Sequence, residues 1–327
     1  MPEENAKAIQ TGLKSYQNPI YTNQQFILVV MIAVMSIITT VFNPRFLTLR
    51  NIINILLQIS VISIVSAGAT LVMISGNFDI SVGSMVGLAT TSSAILVIKG
   101  YSIPFSMLMG VLICIVAGLI NGTIIAKTRT PSFIITLAML SIYHGISLIT
   151  TGGITKSLRG KFATLGRGVS FGIIPNPVLV MAGVYIFLAI VLKYTKFGRR
   201  IYAIGGNEEA AYLSGVNTDL NKIFIYGLNG LLVGIASVVL LSRLGSALPS
   251  TGSGMELRAI AAVVIGGVPL TGGKGTALGT FLGVVLMGLI SNVLNLLTIS
   301  AYYQEVAIGL IIAIAVVVSN IGGMRRR

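Results

Sequence analysis

Ten separate stretches of the chain are apolar for long enough to approach or reach the width of a lipid bilayer, and no other feature restricts its fold as much. They run Phe26–Phe42, Ile52–Ser75, Val82–Ile98, Pro104–Ala126, Ser132–Thr150, Pro177–Leu192, Lys222–Leu241, Arg258–Val268, Ala277–Leu297 and Tyr303–Asn320. A hydrocarbon layer about 30 Å thick needs about 20 helical residues. Inside it every backbone N–H and C=O must be paired within the chain, so helices are the economical solution for runs of this kind. The expected fold is all-α: a polytopic integral membrane protein of about ten transmembrane helices. Only 9% of residues are charged and 54% are hydrophobic, whereas a soluble domain carries charge on roughly 25%.

The exception among the ten is Arg258–Val268, too short to span alone and running into GGVPLTGGKG. Five glycines and a proline in that segment interrupt any helix. Non-helical backbone at membrane depth survives only inside protein or beside water. The segment therefore reads either as a broken helix beside a pathway or as a loop at the membrane surface.

Residues 1–25 are polar and contain Glu3, Glu4, Lys7 and Lys14, unlike the basic start of a cleaved leader. Phe26–Phe42 ends in FNPRF with no small-residue cleavage pattern, which predicts a retained anchor helix. The chain divides into a cytoplasmic segment 1–25, a membrane domain 26–320 containing a cytoplasmic loop 193–221, and a basic tail 321–327. With ten spans and the amino terminus inside, thirteen Lys and Arg fall on the inner side and nine on the outer. That bias puts both termini in the cytoplasm. The net charge of +14 sits between apolar runs rather than on one amphipathic face, which excludes a nucleic-acid partner.

One cysteine, Cys114, and one histidine, His144, leave no set for a disulfide, a metal site or a Ser-His-carboxylate triad. A phosphate-binding loop ending at Lys274 would need glycine where Val268 stands and Ser or Thr where Gly275 stands. No catalytic residue, cofactor or metal is expected, and Cys114 and His144 read as packing residues. Asp79, in ISGNFDISVGS beside Asn77, has two readings. It is a pathway or gating residue, costly at roughly 2.5–3.5 kcal/mol if ionised at mid-membrane, or it caps the helix starting at Val82. Gln58, Asn121, Thr136, Asn292 and Asn295 either glue helices together or line a route for a hydroxyl-rich solute.

The cytoplasmic loop GRRIYAIGGNEEAAYLSGVNTDLNK is more explicit. Asn207 caps a helix, Glu208 and Glu209 occupy the first turn where the dipole favours anions, and Gly215 ends it in a left-handed conformation. A two-turn helix Glu208–Ser214 is predicted, with Ala210, Ala211 and Leu213 forming a small apolar surface for a partner.

That loop resembles the ATPase-docking loop of permease subunits of bacterial ABC sugar importers of the ribose-type branch. SGNFDISVGS, with Ile80 where leucine is usual, GLINGTIIAKTRTPSFIITLAML and AAVVIGGVPLTGGKGTALGT are similar to further elements of that family, in the same order. The resemblance implies an inner-membrane permease that moves a monosaccharide, a ribose-like pentose or a hexose, by alternating access. It implies a second permease copy or a paralogue, a cytoplasmic ABC ATPase and an extracytoplasmic sugar-binding protein as partners, within membrane lipid. The docking residues would be Gly205, Gly206, Asn207, Glu208, Glu209, Ala210, Ala211, Leu213, Ser214 and Gly215. Candidate pathway or gate residues are Asn77, Asp79, Asn121, Thr136, Gly272, Gly273, Asn292 and Asn295. Alternatives are a permease for branched-chain amino acids or nucleosides, and an ion-coupled secondary sugar transporter. The last requires clustered buried acids, for which only Asp79 and Glu305 are near the apolar zones.

Overall fold

The computed structural model describes residues 20–300 and positions 302, 303, 306, 307, 309, 310 and 313. Its helices are α1 (Ile20–Phe42), α2 (Leu49–Ile74), α3 (Val82–Ile98), α4 (Ile103–Thr128), α5 (Ser132–Thr151), α6 (Thr164–Arg167), α7 (Asn176–Tyr194), α8 (Lys196–Gly206), α9 (Glu208–Leu213), α10 (Thr218–Leu244), α11 (Met255–Ile265) and α12 (Ala277–Leu296). The protein is an all-α, multi-pass membrane protein. Seven helices among the described residues are long and apolar enough to cross a bilayer: α1, α2, α4, α5, α7, α10 and α12. The expected ten are thus not all confirmed. At 17 residues α3 is short, α11 is shorter still at 11, and the tenth run, Tyr303–Asn320, lies mostly outside the described residues.

α2 and α10 form the centre. From Ile59 to Ile74 every residue of α2 except Ile62 is buried, and Thr70 Oγ1 lies 2.8 Å from Thr280 Oγ1 on α12. Lipid provides no hydrophobic drive between helices, so close backbone approach and dispersion hold them together. α4 meets α10 through such a seam. A Cβ on Gly118 would overlap the carbonyl of Tyr226, and one on Gly230 would overlap the carbonyl of Cys114. One side chain added on either helix would force the pair apart.

A long helix, a polar loop and a short helix occur twice along the chain: α2, residues 75–81 and α3, then α10, residues 245–254 and α11. α3 begins inside the protein, and the half-buried start of α11 lies against it. On the first turns of α3, Gly83 lies against the Gly252 carbonyl and the Glu256 carboxylate, and Gly87 lies under the Pro249 carbonyl. The amino termini of α3 and α11 therefore meet, each with an acidic residue beside it. Sequence reading places the start of α11 at Arg258. The helix starts three residues earlier because Gly254, at φ 80°, turns the chain into Met255, and Glu256 accepts from the Gly254 N–H at 3.1 Å.

The segment between α5 and α7 carries structure of its own. β1 (Lys156–Ser157) pairs antiparallel with β4 (Ser246–Ala247), and β2 (Val169–Ser170) pairs with β3 (Ile174–Pro175). Arg167 Nε donates to the Arg243 carbonyl at 2.9 Å, pinning this cap to the end of α10.

Candidate functional site

At the opposite end, α8 and α9 project as a bent pair. Thr195 caps α8 by accepting from the Gly198 N–H at 3.0 Å, and Asn207 caps α9 by accepting from the Ala210 N–H at 2.9 Å. α9 ends at Leu213 with Ser214 as its cap. Gly215 adopts φ 83°, and the Val216 N–H donates to the Ala211 carbonyl at 3.0 Å, closing the helix end. Lys222 Nζ lies 2.6 Å from Glu208 Oε1 and ties α9 to the first turn of α10.

The outward face of α9 consists of Glu208, Glu209, Ala210, Tyr212, Leu213 and Ser214, with Leu213 78% and Tyr212 65% exposed. Ala211 does not belong to it. It is buried, and Tyr212 takes the place on the surface that sequence reading gives to Ala211. A six-residue helix turns under two full circles, so its sequence alone does not say which alanine faces inward. No side chain fills the space around Gly215. Gly215→Val is therefore expected to act through backbone conformation alone, costing about 1–3 kcal/mol at that φ. Thermal unfolding in detergent checks this: Gly215→Asn, whose side chain tolerates the left-handed region, is expected to lose less.

α8 is joined to the membrane domain backbone to backbone. A Cβ on Gly205 would overlap the Ile74 carbonyl at the end of α2 and stand 2.6 Å from the Gly273 nitrogen. The Gly273 N–H donates to the same Ile74 carbonyl at 2.8 Å, and Tyr202 Oη donates to the Gly275 carbonyl at 2.8 Å. A Cβ on Gly272, at φ 79°, would stand 2.5 Å from the Gly76 nitrogen. The glycine-rich segment after α11 is thus packed against protein, with Gly272 and Gly273 wedged between α8 and the chain leaving α2. Gly206 lies beside this joint and is exposed, with open space where a side chain would go.

The chain leaving α2 then turns inward. Phe78 N–H donates to Ser132 Oγ at 2.9 Å and Ile80 N–H to Thr136 Oγ1 at 3.2 Å, fastening the turn to α5. Asp79 is 5% exposed. Its Oδ1 accepts from the Ser81 N–H at 3.0 Å and Ser81 Oγ at 2.6 Å, and its Oδ2 accepts from Asn229 Nδ2 at 2.9 Å. Asn121 Nδ2 donates to Ser81 Oγ at 2.8 Å, and Tyr143 Oη donates to Asn121 Oδ1 at 2.8 Å. Asp79 therefore does not cap α3 directly. Ser81 is the capping position, and the carboxylate knots the turn to α10 and, through Ser81 and Asn121, to α4 and α5.

The remaining sequence-picked residues are dispersed. Asn77 is buried and donates to the Ser75 carbonyl at 3.1 Å, Asn292 exchanges amide hydrogen bonds with Asn51 at 2.9 and 3.0 Å, and Asn295 is exposed. Asn121 and Thr136 join Asp79; Asn292, Asn295, Gly272 and Gly273 do not. Sequence reading missed Asn229, Ser81, Tyr143 and Glu256. Only the polar character of Asn229 within an apolar run could have drawn attention to it.

Residues 51–316 match the family described as branched-chain amino acid transport system permease component. The ribose import permease protein of Haemophilus influenzae is 40% identical, with 91% of this chain and 93% of that protein covered. For the ribose import permease protein of Bacillus subtilis the figures are 41%, 88% and 90%. The autoinducer 2 import system permease protein of Yersinia enterocolitica is 33% identical over 91% of this chain and 83% of its own length. No solved structure matches. With its glycine joint, its inward turn at Asp79 and a family match running from α2 almost to the carboxy terminus, the chain belongs to the branched-chain amino acid transport system permease family.

Proposed function

We propose that this chain is the membrane-spanning subunit of an ATP-driven sugar importer, moving a ribose-like monosaccharide inward through a cavity shared with a second permease copy. What supports the substrate class most is the 40% identity to a ribose import permease over nine-tenths of both chains. The α9 end faces the cytoplasm in this reading, both termini lie on that side, and a separate ABC ATPase seats on Glu208–Ser214. An extracytoplasmic binding protein delivers sugar to the end capped by β1 and β4.

The geometry gives the coupling a route. Movement of α9 reaches α8 through Asn207, α8 bears on Ile74 and Gly273 through Gly205, and the turn carrying Asp79 leaves directly from Ile74. Because these contacts are backbone on backbone, little side-chain slack absorbs the displacement. A motor shifts the transporter only by binding its states unequally, and a stiff link transmits that difference.

Purified with its ATPase and binding protein in liposomes, the permease is expected to support ribose uptake that requires ATP and persists with a protonophore. Uphill accumulation by the permease alone overturns the proposal and favours an ion-coupled carrier. Leu213→Asp places a charge on the exposed docking face and is expected to weaken ATPase association about tenfold, ~1.4 kcal/mol. Titration of the detergent-solubilised permease with the ATPase reads this directly; unchanged affinity moves docking elsewhere.

A further inference from the structure

The outer half of α2 carries a polar stripe that the described residues leave open. Arg50, Asn54 and Gln58 recur every four residues, so they lie on one face, and all three are exposed. Among the described residues neither Asn54 nor Gln58 makes a side-chain hydrogen bond. The contrast with other amides in the spans is sharp: Asn51 and Asn292 pair with each other, Asn121 pairs with Ser81 and Tyr143, and Asn229 pairs with Asp79.

Depth makes the exposure informative. With 26 residues, α2 is about 39 Å long, longer than the roughly 30 Å hydrocarbon layer. Centred in it, Gln58 lies roughly 9 Å below the hydrocarbon edge. An amide with no partner is strongly disfavoured against lipid tails, so this face looks onto water or onto polar groups outside the chain. On the adjoining face, Leu49, Ile53 and Leu57 line a cavity of about 690 Å³ that also touches Arg167 and Arg243. That cavity, apolar but for the two arginines, adjoins the stripe and leaves room for a vestibule at this end of α2.

We infer that Asn54 and Gln58 contact the sugar on its way through the vestibule, donating to and accepting from its hydroxyls. This rests on the sugar-import reading above. A side-chain amide offers both donors and an acceptor without charge, which matches a neutral polyol. Spacing of one helical turn, about 5.4 Å, lets the two amides reach different hydroxyls of one ring. The polar residues around Asp79 hold the turn in place, whereas the α2 stripe handles solute.

The test uses the full transporter with Cys114→Ala, then Asn54→Cys or Gln58→Cys, and a membrane-impermeant thiol reagent. Both positions are expected to label, while Ile134→Cys on the exposed apolar face of α5 does not. Labelling is read without sugar, so it stands apart from the transport reading. Failure of both positions to label overturns the water-facing stripe even in a transporter that imports ribose. In a transporter shown to import ribose, the sugar is expected to slow labelling at Gln58→Cys at least about threefold. Disulfide formation between two copies at position 58 with no effect of ribose makes the stripe an interface only, and sinks the sugar contact. Gln58→Leu is expected to raise the KM for uptake about tenfold and Gln58→Asn less, at equal amounts of permease in the membrane. Equal KM values for Gln58→Leu and the native protein refute the contact.

Discussion

Replacing Gly205 with valine is expected to lower sugar-stimulated ATP hydrolysis roughly 100-fold, equivalent to about 2.7 kcal/mol of lost coupling, while the permease still reaches the membrane. Valine at this site meets the Ile74 carbonyl and the Gly273 nitrogen, both backbone atoms that cannot rotate away. α8 must therefore lift from the end of α2, breaking the contact that joins the docking pair to the inward turn. Gly206→Ala is the internal control. Its side chain enters open space, and alanine replaces glycine at a helical position, so stability is held or raised by up to about 1 kcal/mol. Hydrolysis stimulated by ribose and binding protein, measured on complexes purified at equal stoichiometry, separates the two. Normal stimulation in Gly205→Val disposes of the glycine joint as a transmission element.

The joint also explains why this chain brings four glycines together where α8 meets the end of α2. Gly76, Gly205, Gly272 and Gly273 come from three segments of the chain, and each contributes backbone rather than side chain to the contact. Side chains at such a seam would change rotamer under load and blur the displacement. Three of these glycines, Gly76, Gly272 and Gly273, also hold positive φ, so their lack of Cβ serves both the turn and the close approach.

Much of the architecture was legible because it follows from local pattern. Apolar runs mark helices α1, α2, α4, α5, α7, α10 and α12, and the Asn-Glu-Glu signature marks α9, since capping and dipole effects act within one turn. What the sequence hides is contact over distance. Asp79 and Asn229 are 150 positions apart, and Thr70 and Thr280 are 210 apart. Nothing in either neighbourhood names the other. The segment Gly266–Gly275 was ambiguous because a loop at the surface and a loop packed inside protein use the same glycines. Burial of Val268, Gly272 and Gly275 alongside an exposed Lys274 decides for the second. Asn54 passed unnoticed because exposure, rather than identity, makes it unusual.

Asp79 offers the most severe test, because its carboxylate is surrounded by neutral donors. Asp79→Leu strands the Ser81 N–H and the Asn229 amide inside the protein, at about 1–3 kcal/mol for each lost partner. Loss of the Ser81 hydroxyl bond adds to that, and the inward turn is expected to detach from α10. The variant should be recovered in much reduced amount and fail to import sugar. Asp79→Asn behaves differently. Its Oδ1 keeps both bonds from Ser81, while its amide nitrogen faces Asn229, whose Oδ1 has no hydrogen-bond partner among the described residues. Turning the Asn229 amide by half a circle converts it from donor to acceptor and restores the link. Asp79→Asn is therefore expected to import within about threefold of the native rate, or ~0.65 kcal/mol. Adding Asn229→Leu removes the rescuing acceptor, so the double variant should lose that protection. An Asp79→Asn permease that is stable, assembled and inert would show that the charge itself takes part in transport. Such a result would return ion coupling to consideration, because fastening a turn needs hydrogen bonds and not a formal charge.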